Sequence, residues 1–274
     1  MSALQHAVSD TIVLAERSLK RIPRQPDLLI GFTVQPVMFV LLFVFVFGGA
    51  IATPGLDYVD FLIPGIIVQS MVFGGFVTAL GLAEDLKKGL MDRFRSLPMW
   101  APAVLSGRIL ADVGTNVIQL VVMFAVGIAA GFRFSTSAPE VVAGIALCLL
   151  FGYAFSWVFA FIGLSASSPE ASNAYGFTIL FPVTFVSSAF VPVESMPSWL
   201  QPIAEHNPFT TMVNAARALF VGTPAGNDIW LSIVWALVRT LPAIRMWSTK
   251  ICGPSRTVNT RFACARSAVN PGCA

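Results

Sequence analysis

Charged residues are scarce in this chain. Asp, Glu, Lys and Arg together make up 11% of its 274 residues, whereas soluble domains usually carry about 25%. Hydrophobic residues account for 56%, and the mean hydropathy is +0.77. This composition excludes an ordinary soluble domain and indicates an integral membrane protein. No clustered basic surface with stacking groups suggests nucleic-acid binding, so none is expected.

Residues that carry out chemistry are also few. The only histidines are His6 and His206, and the four cysteines are too scattered for a disulfide framework or a metal site. A Gly-x-x-x-x-Gly-Lys-Ser/Thr phosphate loop is lacking. The nearest approach to a serine-hydrolase elbow, around Ser165, lacks its final glycine. We therefore expect no catalytic residue, bound cofactor or metal in this chain, and any ATP hydrolysis to occur on another polypeptide.

Long apolar runs are what the sequence does contain. A bilayer core of ~30 Å needs roughly 20 apolar residues per helix, and five runs approach or exceed that length. A sixth begins at Ile229 but meets Arg239 after ten residues. The prediction is an all-α integral membrane protein, a six-span helical bundle with five clear spans and a compromised sixth. The five clear spans are Ile30–Ile51, Phe61–Ala83, about Arg108–Phe132, Val141–Ala166 and a run ending near Val191, with Ser167 as the expected cap of the fifth.

Residues 1–29 show a different pattern. Apolar residues recur at helical spacing from Val8 to Ile22, while basic residues lie mostly off that stripe. This pattern is typical of an amphipathic helix that rests in the membrane interface. An ordinary solvated helix is the alternative.

The distribution of Lys and Arg predicts the orientation. Of the 17 basic residues, 15 fall on one side of the predicted spans, and only Arg133 and Arg217 fall on the other. Because cytoplasmic loops are enriched in Lys and Arg, the N-terminus is predicted to be cytoplasmic. The segment between spans two and three then faces the cytoplasm as well.

That segment, residues 84–98, is dense in charge of both signs. Leu86, Leu90, Phe94 and Leu97 recur at helical spacing, and the charged side chains occupy the remaining faces. Such a helix can pack its apolar stripe on the span ends and offer its charges to a soluble partner, since mixed charges specify partner and register. A solvated helix that only separates the two spans is the alternative.

Two motifs of the chain are distinctive. One is the charged segment, with Gly89, Arg93-Phe94-Arg95 and Ser96-Leu97-Pro98. The other runs from Phe181 to Pro192 and continues through Met196-Pro197-Ser198-Trp199-Leu200, Asn207-Pro208-Phe209-Thr210 and Arg217-Ala218-Leu219. Together they resemble the type-2 family of ABC export permeases, in particular its daunorubicin/doxorubicin-resistance-like branch.

The resemblance implies a bacterial cell-membrane subunit that pairs with a second permease copy and with an ATPase subunit, which binds ATP–Mg. It also implies that the charged segment is a coupling helix that docks on the ATPase. Its docking residues would be Glu84, Asp85, Lys87, Lys88, Asp92, Arg93, Phe94 and Arg95.

After Pro192, prolines and a tryptophan interrupt the apolar pattern. Met196–Ala204 is predicted to form a short helix at the outer interface, with Trp199 at headgroup depth. An external lid is one interpretation and a simple interfacial anchor is the other. The residues assigned to this re-entrant segment are Pro182, Pro192, Met196, Pro197, Trp199, Asn207 and Pro208.

The spans hold few polar anchors, which favours an apolar or amphipathic substrate such as a drug. A lipid or lipid-linked glycan is the alternative. Phenylalanine is abundant, with 23 residues, and the predicted substrate pathway comprises Phe73, Phe76, Phe177 and Phe185. Asp112, the one acid within a span, is expected to pair with Arg108 one turn away as a structural contact.

The chain after Val238 departs from the family pattern. Residues 30–241 are assigned to the transmembrane domain and residues 242–274 to a basic tail. We hypothesise that the natural reading frame was lost near Arg239, because a sixth helix would have to absorb two arginines and Pro242. A genuine basic tail that contacts anionic lipid is the alternative.

Overall fold

The computed structural model describes residues 26–89 except 52 and 54, residues 101–224, residues 226–238 and residue 240, together with Val13 and Glu16. Apart from Val13 and Glu16, side chains are described from residue 34, and after the gap from residue 105. All regular structure in these stretches is helical. Nearly all of the predicted N-terminal helix, the whole 242–274 tail and the docking residues Asp92, Arg93, Phe94 and Arg95 lie outside the described residues.

Eight α-helices are described. They are α1 (Pro26–Leu41), α2 (Tyr58–Lys87), α3 (Ala101–Ala129), α4 (Ala138–Ser165), α5 (Pro169–Phe185), α6 (Gln201–Glu205), α7 (Pro208–Val221) and α8 (Asp228–Val238). A π-helical segment, Leu42–Phe47, continues α1, and a 3₁₀ turn, Val193–Ser195, precedes α6.

Three of these helices are long and apolar enough to cross a membrane: Tyr58–Lys87, Leu105–Ala129 and Ala138–Ser165. They agree with predicted spans two, three and four and identify an integral membrane helical protein. The first and sixth predicted spans correspond to shorter apolar helices, Val34–Phe47 and Asp228–Val238. The count of six spans therefore stays a prediction.

α2 is the centre of the bundle. It is apolar on nearly every face, and a helix of that kind is stable only when neighbours surround it. Its side chains are buried almost continuously from Phe61 to Phe73, and it packs against α1, α3, α4, α5 and α7. The mixed-polarity helices α3 and α5 lie around it.

Local signals account for the helix ends. Ser137 and Glu140 form a capping box at the start of α4. Gly131 adopts a φ of 108°, which suits glycine, just after α3. The cap of α5 is Ser168, whose Oγ accepts from the Ala171 N–H at 3.1 Å, so the prediction of Ser167 was wrong by one residue.

The fifth predicted span is shorter than expected. α5 ends at Phe185 rather than near Val191, and the chain then turns inward, so that Ser187 to Phe190 are buried. The stretch between Pro192 and Asp228, predicted as a long connection, contains α6 and the 14-residue α7. One face of α7, with Phe209, Val213 and Phe220, lies fully in the core.

Candidate functional site

The charged segment begins within the last turn of α2. Glu84, Lys87 and Lys88 are exposed there, and Lys88 lies 3.1 Å from Glu84 across one helical turn. Lys87 lies 3.7 Å from Glu170 at the start of α5. Contacts this exposed contribute little to stability. These three predicted docking residues are therefore accessible to a partner.

Asp85, the fourth described docking residue, has a different position. It forms an ion pair with Arg108 of α3, and each side chain is about one quarter exposed or less. The contact joins the C-terminal end of α2 to the first turns of α3. Asp85 therefore fixes the geometry of the helix pair that carries the charged segment.

The expected pairing of Arg108 with Asp112 within α3 is not what the structure shows. Arg108 contacts Asp85, and Asp112 instead accepts a hydrogen bond from the Thr78 hydroxyl of α2. The sequence pattern suggested a contact along one helix, but the facing helix offers closer partners.

Asn116 lies on α3 one helical turn after Asp112. Its side chain is fully buried beside Gly74 of α2 and Gly152 of α4, and neither polar atom of its amide has a hydrogen-bond partner among the described residues. A buried amide of this kind is costly unless it is satisfied. We call the line of Asp85–Arg108, Thr78–Asp112 and Asn116 the inner seam.

A second polar cluster lies where α5 ends. Arg217 of α7 is buried, and its Nε donates to the Phe61 carbonyl at 2.8 Å. Its terminal nitrogens donate to the Ser188 carbonyl, to the Ala189 carbonyl at 3.3 Å, and to the side chains of Ser188 and Asn214 at 3.2 and 3.3 Å. The guanidinium also lies 3.5 Å from the centroid of the Phe61 ring. All of these partners are neutral.

Asn207 completes this cluster from the other side. Its Nδ2 donates to the carbonyls of Val183 and Val186 at 2.8 and 2.7 Å, while its Oδ1 accepts from the Phe209 N–H and caps α7. Carbonyls at a helix end lack partners within the helix. Arg217 and Asn207 together satisfy the carbonyls left free where α5 breaks, and we call this cluster the outer junction.

Close backbone contact makes the outer junction possible. Gly65 of α2 faces the Ala189 backbone, and a Cβ at residue 65 would collide with the Ala189 carbonyl. Because a guanidinium stays protonated in proteins, Arg217 is a buried cation.

The predicted re-entrant residues precede or lie between the segments that form this junction in the sequence. Pro182 lies in the last turn of α5, Pro192 is buried, Pro208 begins α7, and Trp199 is 71% exposed. The short helix predicted over Met196–Ala204 is present only as α6, which begins at Gln201, because Pro202 lacks the N–H that a helix continuing from Met196 would need. A turn joins the Val193–Ser195 segment to α6 instead, and the Gln201 amide ties α6 to the Met196 carbonyl at 2.9 Å.

The predicted pathway phenylalanines divide into two pairs. Phe73 and Phe76 are buried on α2, whereas Phe177 and Phe185 are 37% and 40% exposed on α5. The structure brings Phe76 and Phe177 together, with ring centroids 4.8 Å apart. An accessible surface is therefore offered by α5 and not by α2.

The burial of Arg217 differs from the prediction from charge distribution, which places this residue outside the spans as a loop charge. Arg217 is 4% exposed and lies in a run of apolar residues at helical spacing. A lone arginine between Ala216 and Ala218, with Phe220 one turn further on, is a signal of a buried cation with fixed acceptors.

For metal ions, no group of three or more His, Cys, Asp or Glu side chains comes together in the stretches that the structure describes.

Comparison with known proteins gives the family. The sequence profile of the ABC-2 type transporter family matches residues 9–221. The chain is 37% identical to the daunorubicin resistance ABC transporter permease protein DrrB1 of Streptomyces coeruleorubidus, over 82% of this chain and 80% of that protein. It is 25% identical to the probable doxorubicin resistance ABC transporter permease protein DrrC of Mycobacterium tuberculosis, over 83% of each. The probable multidrug ABC transporter permease YbhR of Escherichia coli is 22% identical over 68% of this chain and 50% of that protein. This chain belongs to the ABC-2 type transporter family.

Proposed function

We propose that this chain is the membrane-spanning permease subunit of an ATP-driven exporter of hydrophobic or amphipathic compounds, including drugs. The observation that carries the proposal is the 37% identity to a daunorubicin resistance permease over four fifths of both chains. The apolar spans and the scarcity of charge within them suit substrates of that kind. ATP–Mg would bind to a separate ATPase subunit.

The charged segment is the proposed site of ATPase docking. Glu84, Lys87 and Lys88 are exposed at the end of α2, and the remaining charges follow directly in the sequence. Exposed charges of both signs favour recognition and register over raw affinity. They suit a partner that engages in the same way in every cycle.

The inner seam is the proposed route of coupling. Because the Asp85–Arg108 pair ties α2 to α3 beside the charged segment, a push on that segment moves the two helices together. ATP binding would close the ATPase dimer, and the movement would expose the cavity alternately to the inside and the outside. Two permease copies, identical or related, would enclose that cavity.

The proposed orientation follows from the distribution of basic residues. The N-terminus and the charged segment would face the cytoplasm, and the outer junction would lie at the external side of the bacterial cell membrane. The outer junction would then support the closed end of the pathway, with Trp199 in the headgroup layer.

Export of a lipid or lipid-linked glycan would need the same architecture. The named relatives favour drug export, since all three carry drug-resistance or multidrug names.

Efflux from a drug-sensitive bacterium tests the proposal. The chain is expressed alone, with its candidate ATPase subunit, and with that ATPase inactivated at its phosphate-loop lysine. We expect reduced accumulation of a fluorescent amphipathic drug only when the active ATPase is present. Equal accumulation in all three strains would refute the proposal, and flipping of a lipid without drug efflux would favour the alternative.

A further inference from the structure

Asp112 lies deeper in its helix than the other acids of the long helices. It is more than two turns inside either bound of α3, whereas those other acids lie in a first or last helical turn. They are Asp60, Glu84, Asp85 and Glu140. An ionised carboxylate at such a depth in a membrane span is rare and marks a functional position, because it needs a counter-charge.

Among the described residues, no cation forms an ion pair with Asp112. Arg108, one turn away on α3, pairs with Asp85 instead. The facing group on α2 is the neutral hydroxyl of Thr78, and α1, which also packs on α3, has no ionisable side chain among residues 34–41. The other titratable groups on α2 and α4 are Tyr58, Asp60, Glu84, Lys87, Glu140, Cys148 and Tyr153. Only Lys87 among these is a base, and it is exposed at the end of α2. A buried carboxylate without a protein partner takes up a proton or coordinates a metal ion.

The groups around Asp112 fit a proton better than a metal ion. The Thr78 hydroxyl donates to one carboxylate oxygen, and Asn116, one turn further on, has both amide atoms buried without a partner. The Asn116 Oδ1 lies against Gly74, on the α2 side where Thr78 also lies, while Nδ2 lies towards Gly152 of α4. The amide therefore directs its acceptor atom towards the inner seam, where the O–H of a protonated carboxyl needs one. Oxygen-liganded metal ions need about six ligands, and the described chain gathers no group of three acids, cysteines or histidines.

A proton on Asp112 changes the contact between α2 and α3. When the carboxylate is ionised, the hydrogen bond from Thr78 is charge-assisted and roughly twice as strong as a neutral one. When it is protonated, that bond is neutral and the new O–H can turn to Asn116. Asp112 is half-buried, and the side chains of Arg108 and Asp85 are 24% and 19% exposed. Protons can therefore arrive from the end of the bundle that carries the charged segment.

We propose that Asp112 is a proton-binding site and that its proton weakens the link between α2 and α3 in the inner seam. Asn116 is the positioning residue, whose Oδ1 accepts from the protonated carboxyl. The effect of the proton on transport rests on the proposed export function, but the binding of the proton does not.

Infrared spectroscopy of the full chain in lipid nanodiscs tests this site. A protonated carboxyl gives a C=O band that a carboxylate lacks, and isotopic labelling of the Asp carboxyl carbon identifies an Asp band in wild type without a substitution. The variants are Asp112→Asn, which keeps an acceptor for Thr78, and Asn116→Leu, which removes the amide. The control is Asp57→Asn, at an exposed residue whose side chain makes no cap hydrogen bond. Thermal unfolding verifies that each variant is folded.

We expect a protonated Asp band in wild type at about pH 6, where exposed Asp side chains are ionised. Asp112→Asn should remove the band and Asp57→Asn should keep it. In Asn116→Leu the band should disappear at a pH about 1 lower than in wild type, the change that one hydrogen bond supplies. The inference is overturned if wild type lacks the band, if Asp112→Asn keeps it, or if Asn116→Leu titrates like wild type. It is also overturned if the band responds to sodium or potassium ions and not to pH, which would make this a metal-ion site.

The effect on coupling is measured separately, as the ratio of drug-stimulated to basal activity of the ATPase subunit in the complex. This ratio should fall as the pH is lowered in wild type and in Asp57→Asn, and it should be low at every pH in Asp112→Asn. The same pH dependence in wild type and Asp112→Asn would overturn the link between the proton and the inner seam. No stimulation of wild type at any pH would refute the export function, while the infrared band would still establish the proton site.

Discussion

Arg108 and Arg217 both lie in apolar helices, yet they are held in different ways. Arg108, in the inner seam, faces one carboxylate and keeps contact with solvent. Arg217, in the outer junction, is buried, and its partners are backbone carbonyls and neutral side chains. A partly exposed ion pair can open and re-form at low cost, whereas removal of a buried multivalent donor leaves several acceptors unsatisfied.

The two ends of the bundle therefore differ in how readily their contacts can change. The inner seam can change its contacts, as a region that receives a push must do. The outer junction fixes the break after α5 and gives the bundle a rigid end.

Replacing Arg217 should have the largest effect. Arg217→Gln removes most of the donors to the Phe61, Ser188 and Ala189 carbonyls, and we expect a loss of about 3 kcal/mol or more in the free energy of unfolding. The measurement is thermal unfolding in nanodiscs together with the amount of protein in the membrane. Arg133→Gln, at an exposed arginine, is the control. Equal melting of the two variants would contradict a structural role for Arg217.

Asn207→Ala should have the next largest effect. It removes the donor to the Val183 and Val186 carbonyls and the cap of α7, so we expect a loss of about 1–3 kcal/mol. Asn173, which is exposed within α5 and precedes no helix, provides a matched control, Asn173→Ala. If both variants unfold at the same temperature, the broken end of α5 does not depend on Asn207.

Breaking the inner seam should affect coupling more than stability. Asp85→Asn weakens a partly exposed pair, so the change in unfolding free energy should be at most about 1 kcal/mol. The drug-stimulated activity of the ATPase subunit in the complex should show the larger relative loss, because α2 and α3 no longer move together. The exchange Asp85→Arg with Arg108→Asp should restore part of that activity, and Glu205→Gln, at an exposed acid on α6, is the control. Normal stimulation in Asp85→Asn would remove the seam from the coupling route.

The smallest effect on stability is expected at Lys88. Its pair with Glu84 is exposed on both sides, so Lys88→Ala should change the free energy of unfolding by only a few tenths of a kcal/mol. Exposed interface charges chiefly set association rates and salt dependence. Co-purification of the ATPase should therefore weaken at low salt and depend less on the salt concentration, and an unchanged salt profile would argue against docking at this residue.

Several features of the fold could be predicted from the sequence because they depend on local patterns. Run length and hydropathy located the three long spans, and the motifs around Arg93 and Phe181 indicated the family. The end of α5 could not be predicted, since it depends on tertiary contacts from Asn207 and Arg217 that lie about 20 residues or more along the chain. The partners of Arg108 and Asp112 depend on the register between α2 and α3, which a single-helix pattern does not contain.

The docking role of Asp92, Arg93, Phe94 and Arg95, the span count and the reading-frame hypothesis stay predictions from sequence. The structure adds that Asp85 belongs to a helix–helix contact and that the exposed pathway rings lie on α5. These additions concern positions where helices meet, which the chain order alone does not reveal.

Sided labelling of two cysteines tests the central claim most directly. Lys88→Cys and Trp199→Cys are made separately in a background without the four native cysteines, and a membrane-impermeant maleimide is applied to intact cells and to inverted vesicles. Both residues are exposed, so burial does not limit the reaction. The account predicts labelling of residue 88 only in inverted vesicles and of residue 199 only in intact cells. Labelling of both residues from the same side would contradict a cytoplasmic docking segment opposite an external junction.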